Sequence, residues 1–485
     1  MKNAIKIIKV MAFLWIIAFS MAACSNSNDP DTYDGLGRVV TYPWPNGMAK
    51  YEDITMTADG KDIDLHSVRA NNTYAWTLNT EELCDQIPVA MFDMAGTISI
   101  EITLPVLASN VIIRPLNSGI IPDVNGNKIS FSISQPGHYS VEYNNDPRRP
   151  INTVLIFANP IENFTGTMVI EPGIYTQDYL INSGETLYLK AGAVIRGSVK
   201  MNSNSKIVGR GIIDGSHLPN RILYLNHQAT VPIEVNFANN IEVNGITIFD
   251  PNSWNVQFQD TSNVTVNNLK VVSARNNSDG ISIQGSNNVT IQNSFLRTWD
   301  DGIAIKSYGP QDPYRISVKN CIFWTDLAQS LEIGYETNRG SKPNPKIYDV
   351  TFEDIVIIHS MHNAPISIHN GDNADIFNIT YKNITIENYQ SEGNGWNYLI
   401  DITNTTSEEI GGNPVWTTVT SRGNIHDIHI ENVRILSGIA PQARFVSSGS
   451  GGSVYNVTVK DIFHGSDRLT FSDYVRGPNI SISFD

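Results

Sequence analysis

A five-residue pattern recurs along the second half of the chain: an aliphatic residue, a polar residue, an aliphatic or aromatic residue, any residue, and then Asn, Asp or Gly. The alternation has a period of two, so each copy predicts a short β-strand with one buried face. Successive copies are 23, 25, 27, 34, 29, 49 and 29 residues apart. The copies begin at Ile241, Val264, Val289, Ile316, Val350, Ile379, Ile428 and Val457.

Strands that repeat a little above twenty residues apart, each ending in a turn residue, are typical of the coils of a parallel β-helix. In such a solenoid the inward aliphatic residues stack in ladders, and neighbouring coils pair at about 4.8 Å. The longer intervals predict loops between coils. A β-sandwich also spaces its strands regularly, but it does not explain one pattern that repeats in register. We therefore predict an all-β protein with a right-handed parallel β-helix over residues 165–485.

Residues 35–164 differ from the solenoid in strand pattern and in the composition of their turns. Short alternating segments such as TISIEITL and KISFSIS are separated by turns rich in Gly, Pro and Asn. This composition predicts a separate small β-sandwich domain ahead of the solenoid. We expect it to dock against the β-helix.

The first 24 residues have the features of an export signal. Lys2, Lys6 and Lys9 precede an apolar run that is too short to span a bilayer, and small residues precede Cys24. The segment MAAC resembles a lipobox, in which Cys24 becomes the acylated first residue of the mature protein. Residues 25–34 are polar and predict a linker. We expect an exported lipoprotein, anchored at the outer membrane through lipid on Cys24, on its periplasmic or cell-surface side.

Composition excludes several other classes of function. The formal charge is −15, which disfavours nucleic acid as a partner because phosphate binding relies on clustered Lys and Arg. His359, His362 and His369 lie close in sequence, but their spacing matches no standard zinc motif. We predict no metal, no cofactor and no nucleic-acid partner. We also expect a monomer.

Two coils carry nearly identical acidic segments, SDGISIQ and DDGIAIKS. Alignment of their DGI cores places Asp279 and Asp301 at equivalent positions on adjacent coils, with Asp300 beside them and Asn255 one coil earlier. Three carboxylates on one face oppose each other's ionisation, which raises at least one pKa. A protonated acid beside an ionised base is what glycoside hydrolysis requires, and inversion is typical when they lie roughly 6.5–9.5 Å apart. Capping of turns or binding of Ca²⁺ is the alternative.

These motifs resemble a known family. The segments Asn277–Gly280, Asp300–Ser307 and GRGIIDGS are similar to those of the polygalacturonase family of glycoside hydrolases, family 28. The sandwich ahead of the helix resembles the dextranase family, family 49, of the same clan. The resemblance implies a pectin-lyase-like solenoid and assigns three catalytic roles. Asp300 would be the general acid, while Asp279 and Asp301 would hold the nucleophilic water.

The resemblance also fails at two informative places. Polygalacturonases have a Gly-His-Gly segment where this chain has Ala328–Ser330, so Gln329 stands in place of the histidine. They have an Arg-Ile-Lys segment that grips the uronate carboxylate, whereas the stretch Ala364–His369 contains neither Arg nor Lys. We therefore expect a neutral, dextran-like α-glycan as substrate. A polygalacturonase remains the alternative, with Lys306, Arg275 or Arg339 as the missing clamp.

Further residues are predicted to surround the substrate. Two alternatives from other classes stay open: a non-catalytic surface lipoprotein that binds glycan, and a polysaccharide lyase. Amphipathic aromatic residues that could stack on sugar rings are Trp254, Trp299 and Trp396. The predicted contacts to a polysaccharide or oligosaccharide are Lys306, Gln329, Tyr335, Glu336, His369 and Asn255.

Overall fold

A computed structural model of the chain describes residues 37–71, 84–219, 229–391, 398–404, 421–447, 451–469, 475–476 and 480–484. The predicted signal peptide and linker, residues 1–34, lie outside the described residues. Within the described ranges, no helix combines the length and the apolar character needed to cross a membrane.

Two sheets form the N-terminal β-sandwich in the described residues. Burial alternates along the longer strands of the five-stranded sheet and places one side chain in two in the shared interior, whereas the longer strands of the six-stranded sheet are buried on both faces. The six-stranded sheet consists of Arg38–Thr41, Leu65–Asn71, Cys84–Ala95, Ile112–Arg114, Gly137–Glu142 and Thr153–Pro160. The five-stranded sheet consists of Thr55–Ala58, Lys61–Ile63, Ile98–Thr103, Asp123–Asn125 and Lys128–Ile133, and a short 3-10 helix spans Leu116–Ser118.

The solenoid follows from Met168 onward and contains two long sheets in its described part. The eleven-stranded sheet, parallel throughout, consists of Tyr179–Ile181, Val199–Met201, Ile233–Asn236, Val256–Gln259, Ile281–Gln284, Ile303–Lys306, Leu331–Tyr335, Ile366–Asn370, Tyr398–Asn404, Gln442–Ser447 and Val475–Arg476.

The twenty-stranded sheet covers the other sides of the coils. Its first half consists of Met168–Ile170, Gly173–Tyr175, Thr186–Leu189, Ala193–Ile195, Lys206–Gly209, Ile212–Asp214, Asn239–Asn244, Thr247–Phe249, Ser262–Asn267 and Lys270–Val272. Its second half consists of Asn287–Gln292, Phe295–Thr298, Tyr314–Lys319, Ile322–Thr325, Lys346–Ser360, Asp375–Ile386, Ile425–Ile435, Val454–His464, Asp467–Arg468 and Ile480–Phe484.

The residue that ends each copy of the sequence pattern turns the backbone. Every one of these residues has a positive φ, from 51° at Asn268 to 84° at Gly245. This left-handed region favours Gly, Asn and Asp, which explains why only those three residues occupy the position. The side chains also stack from coil to coil, since the amide of Asn432 donates to the side-chain oxygen of Asn383 at 2.8 Å. The predicted fold class, a parallel β-helix preceded by a small β-sandwich, is confirmed.

The six-stranded sheet of the sandwich packs against the solenoid. An apolar layer joins them, with Val89 and Phe157 on the sandwich side and Phe295 and Trp324 on the solenoid side. Buried ion pairs cross the same boundary, including Arg210 with Asp93 at 2.9 Å and Arg114 with Glu387 at 2.8 Å. Burying charges is costly unless they are paired, so these bonds fix how the two parts meet.

Candidate active site

The outward face of the eleven-stranded sheet becomes buried where the acidic motifs occur. In its early coils the outward side chains are accessible, as in Val199–Met201. From Ile281–Gln284 to Ile366–Asn370, residues on both faces are buried, apart from Tyr335. Most outward side chains on these coils, with the exception of Ala304, are nevertheless polar or charged, which identifies this buried face as the candidate site. In register from coil to coil, one outward column is Ser282, Ala304, Glu332, Ser367, Asp401 and Arg444.

A second column lies just before these strands and contains the predicted aspartates. The backbone amide of Asn255 donates to the carbonyl oxygen of Asp279 at 2.8 Å. In the same way, the backbone amides of Gly280 and Gly302 donate to the carbonyl oxygens of Asp301 and Gln329 on the next coil, both at 2.8 Å. Asp279, Asp301 and Gln329 therefore occupy equivalent positions on successive coils, as the alignment of the DGI cores predicted for the two aspartates. The prediction for Asn255 is wrong, because Val256 pairs in register with Ile281, which places Asn255 level with Gly280 and Trp254 level with Asp279.

The carboxyl groups of Asp279, Asp300 and Asp301 form one cluster. One oxygen from each lies within 4.8 Å of the others. This is closer than the roughly 6.5–9.5 Å expected for an inverting acid and base, so that expectation of spacing is wrong. The cause is geometric, because Asp300 and Asp301 are neighbours in sequence and Asp279 lies a single inter-strand spacing away.

Two members of the cluster, Asp300 and Asp301, have a raised pKa. Burial, and then the negative charge of Asp279, raise the pKa of Asp300 to about 7. Burial, and then the charges of Asp300 and Asp279, raise the pKa of Asp301 well above its usual range. Asp300 is the most accessible of the three residues. A carboxyl group that titrates near neutrality is suited to act as a general acid.

Asp279 has different partners. The ammonium of Lys306 lies 3.2 Å from its Oδ2, and the hydroxyl of Ser282 donates to the same oxygen at 2.9 Å. Lys306 also pairs with Glu336 at 3.5 Å and lies 4.7 Å from the ring centre of Trp254. Although the aspartates could offer oxygen ligands, an ammonium bonded to one of them opposes a second cation. The arrangement favours acid–base chemistry over metal binding.

Two of the predicted substrate contacts are corrected by their burial. Asn255 is 0% exposed, and its side-chain amide donates to the carbonyl oxygens of Ser278 and Asp279 at 3.2 and 3.0 Å. It supports the Asp279 turn from within. His369 is 1% exposed and lies under the ring of Tyr335, with the ring centroids 4.3 Å apart and the planes 2° from parallel. Neither side chain is available to a sugar.

The remaining predicted contacts surround the aspartates. The backbone amide of Gln329 donates to Asp301 Oδ1 at 3.1 Å, and its side-chain amide lies 3.4 Å from the hydroxyl of Tyr335. Tyr335 and Glu336 are partly accessible. Of the tryptophans, Trp254 lies over Lys306, Trp299 is fully buried, and Trp396 lies outside the described residues.

A chain of buried charges was missed from the sequence. Imidazole Nδ1 of His369 lies 2.8 Å from Glu332, its Nε2 lies 3.1 Å from Asp401, and Arg444 Nε donates to Asp401 at 2.7 Å. The hydroxyl of Ser367 donates to Glu332. Burial opposes the charge on His369, but Glu332 and Asp401 raise its pKa to about 9, so it is an imidazolium. The alternation in LEIG, ISIH and IDIT was the available signal, since it places the polar residues outward.

Comparison with known proteins identifies the family. An isopullulanase from Aspergillus niger is 24% identical over 447 residues, which cover 74% of this chain and 74% of that protein. An endo-polygalacturonase from Pectobacterium carotovorum subsp. carotovorum is 24% identical over 283 residues, 53% of this chain and 66% of that protein. Dex49A from Penicillium minioluteum shares the fold, with a TM-score of 0.64 and 15% identity over 92% of this chain and 96% of its own. Residues 181–469, more than half of the chain, match the family model of glycosyl hydrolases family 28. The chain therefore belongs to family 28 of the glycosyl hydrolases and is an O-glycosyl hydrolase.

Proposed function

We propose that the protein hydrolyses a polysaccharide with inversion, using Asp300 as the general acid and Asp279 with Asp301 to hold the attacking water. The observation that carries this proposal is the clustering of the three carboxyl groups within 4.8 Å, with the pKa of Asp300 raised to about 7. Asp300 gives its proton to the leaving oxygen as the bond from that oxygen to the anomeric carbon breaks. The water oxygen forms the new bond to that carbon, and its proton passes to the aspartate pair.

The short spacing suits a water shared by two carboxylates. A water that donates to two oxygens at about 2.7–2.8 Å holds them about 4.5 Å apart. One oxygen of Asp279 and one of Asp301 lie within 4.8 Å of each other, which is close to that distance. A double displacement would instead need one carboxylate to attack the sugar directly, and Asp279 is engaged by Lys306 and Ser282.

The charges around the cluster favour a neutral glycan. In the described part of this face, each cation already contacts a carboxylate of the protein: Lys306 contacts Asp279, and His369 and Arg444 share Asp401. A buried uronate needs a cation of its own, because an unpaired carboxylate loses hydration without compensation. We infer an uncharged, α-linked, dextran-like substrate. The similarity to an isopullulanase over 74% of both chains supports this choice.

The two arginines considered as clamps for a uronate have other partners. Arg275 is 1% exposed, and its Nε lies 3.2 Å from Asp250. The guanidinium of Arg339 lies 5.4 Å from the ring centre of Tyr308. The alternative, a pectin hydrolase of the polygalacturonase type, is favoured by the similarity to an endo-polygalacturonase.

One comparison of substrates decides between them. Initial rates on dextran, pullulan and de-esterified pectin are measured at matched ionic strength, with product sizing and NMR of the first-formed anomer. Faster cleavage of a neutral glucan with inversion supports the proposal. Faster cleavage of pectin would transfer the assignment to polygalacturonase, and a retained anomer would reject the shared-water mechanism.

The proposal also includes a location. The basic start, the short apolar run and the MAAC segment support export and acylation of Cys24. The hydrolase would then act from the outer membrane, held by lipid and a polar linker, as a monomer.

A further inference from the structure

Lys306 occupies a closed position beside the aspartate cluster. It ends the strand Ile303–Lys306, one coil after Asp279, and only 6% of it is exposed. Its ammonium lies between two carboxylates, 3.2 Å from Asp279 and 3.5 Å from Glu336, with the indole of Trp254 centred 4.7 Å away. A lysine held in this way donates its hydrogen bonds to the protein. The geometry differs from the substrate contact that the sequence suggested.

The contact is asymmetric within the cluster. Asp279 accepts from the ammonium and from the hydroxyl of Ser282. The described hydrogen bonds of the other two carboxylates come from backbone amides: Asp301 donates to Asp300 Oδ1 at 3.1 Å, and Gln329 donates to Asp301 Oδ1 at 3.1 Å. A charge-assisted bond favours the ionised form more strongly than a neutral donor does. The ammonium therefore stabilises negative charge on Asp279 more than on the other two carboxyl groups.

We propose that Lys306 is a positioning residue that keeps Asp279 ionised as the base and thereby directs the catalytic proton to Asp300. The inference rests on the proposed function and deepens it. Trp254 excludes water from the ion pair, which strengthens the attraction. Glu336 holds the ammonium from the other side.

The inference predicts a specific change in the pH profile. The charged groups around Asp279 are Lys306, Asp300 and Asp301, with Glu336 behind the lysine and Glu332 behind Asp301. The base acts only in its ionised form, so activity falls at low pH. Without the ammonium, no cation offsets the repulsion between Asp279 and the neighbouring carboxylates. The acidic limb of kcat/KM therefore moves to higher pH.

The test compares matched variants on a neutral glucan. Lys306→Met keeps the apolar stem and should move the acidic limb upward by at least one pH unit, lowering kcat below pH 6 by about 10-fold or more. KM should change by less than about threefold, since a residue that acts through Asp279 does not bind the ground state. Lys306→Arg keeps the positive charge and should return the acidic limb most of the way to its wild-type pH. Glu336→Gln is the control for loss of a neighbouring charge and should leave the limb in place or move it to lower pH.

Other outcomes overturn the inference. A raised KM with an unchanged pH profile in Lys306→Met would make Lys306 a substrate contact. If that variant does not fold, Trp254→Leu replaces it, because the smaller side chain admits water to the ion pair. The acidic limb should then shift in the same direction by a smaller amount. If it does not shift, the inference is rejected. The proposed function is judged separately: full activity in Asp300→Asn rejects it, whereas an inactive Asp300→Asn with an unshifted Lys306→Met rejects only the role of Lys306.

Discussion

Asp301 lies directly beside Asp279 on the next coil of the solenoid. The amide that follows Asp279 donates to the carbonyl oxygen of Asp301 at 2.8 Å, and the strands that begin two residues later pair in register, Ile281 with Ile303. A repeat of 22 residues thus places two carboxylates side by side, and the doubled aspartate adds Asp300 to them. The backbone ladder holds the cluster, independently of the carboxyl groups themselves.

The first prediction follows from that independence. Replacing Asp279, Asp300 or Asp301 by Asn should lower kcat by about 10²–10⁴-fold while the circular dichroism spectrum stays that of the wild type. The ladder amides and the inward isoleucines remain in place. Asp62→Asn, at an exposed position in the sandwich, is the matched control and should keep full activity. An Asp300 variant that retains wild-type turnover would remove Asp300 from the mechanism.

The second prediction concerns pH. The pKa of Asp300 is raised from 3.8 to about 7, so the acid is lost as pH rises through neutrality and kcat/KM should fall on the alkaline side. The same shift affects stability. Between about pH 4 and 7 the folded state keeps a proton that the unfolded state has lost, so stability decreases as pH rises through that window. At pH 8, Asp300→Asn should therefore show a higher Tm than the wild type, measured by calorimetry. A lower Tm would contradict the raised pKa.

Part of this architecture could be predicted from the sequence, for a physical reason. Each copy of the pattern ends in a residue such as Asn268 or Gly245 because the turn there needs a positive φ. This requirement is local, so the sequence shows it again in every copy. The DGI cores repeat within a single coil, so Asp279 and Asp301 could be aligned without knowledge of any loop.

The buried charge chain required more than local information. His369 contacts Asp401 from a coil 32 residues away, and Asp401 contacts Arg444 across 43 residues. Loops of unequal length separate these strands, so their register cannot be deduced from a repeat. The same limit applies to the sandwich, where His359 contacts Glu142 across 217 residues. A pattern within one strand carries no signal of such a partner.

The third prediction concerns that contact between sandwich and solenoid. Glu142 lies 2.7 Å from His359 and 3.2 Å from Arg114, with all three side chains buried. Glu142→Gln should lower the free energy of unfolding by about 3–5 kcal/mol, because it leaves Arg114 with less compensation for its burial. Chemical denaturation measures this, with Glu101→Gln, in a pair with Lys128 at the surface, as a control that changes little.

The same contact gives the stability a pH dependence. Burial opposes ionisation, but His359 and Arg114 lower the pKa of Glu142 from 4.5 to about 2, so its contribution is lost as pH falls through that window. Burial lowers the pKa of His359 from 6.5 to about 4, so the unfolded state gains a proton first as pH falls below 6.5. Stability should decline from about pH 6.5 downward. A Glu142→Gln variant with the wild-type acid profile would show that Glu142 makes no contribution.

The fourth prediction concerns the anchor. If Cys24 is acylated, the expressed protein partitions into the detergent phase, and Cys24→Ala moves it to the aqueous phase with its activity unchanged. Cys84→Ala is the control for loss of a thiol and should stay in the detergent phase. Mass spectrometry of the mature N-terminus gives the direct answer, and a first residue other than Cys24 would reject the lipobox.

The last prediction concerns the selectivity for charge. Asp401 accepts from Arg444 at 2.7 Å and lies 3.1 Å from His369, so one carboxylate neutralises two cations. Asp401→Asn keeps the shape but removes the charge. Glu332 then remains beside His369, while Arg444 loses its bond to Asp401.

That variant should gain affinity for anions. We expect inhibition of glucan hydrolysis by galacturonate to appear or strengthen by about 10-fold, since a new charge-assisted bond of about 1.5 kcal/mol corresponds to roughly that factor. The ratio of pectin to dextran hydrolysis should rise with it. Ser367→Ala, on the same face, removes a hydroxyl without changing charge and controls for disturbance of the network. The Tm of Asp401→Asn shows whether the variant folds. If it folds and galacturonate inhibits it no more than the wild type, then the pairing of His369 and Arg444 with Asp401 is not the cause of the selectivity. The choice between a neutral glycan and a uronate must then depend on other residues of the site.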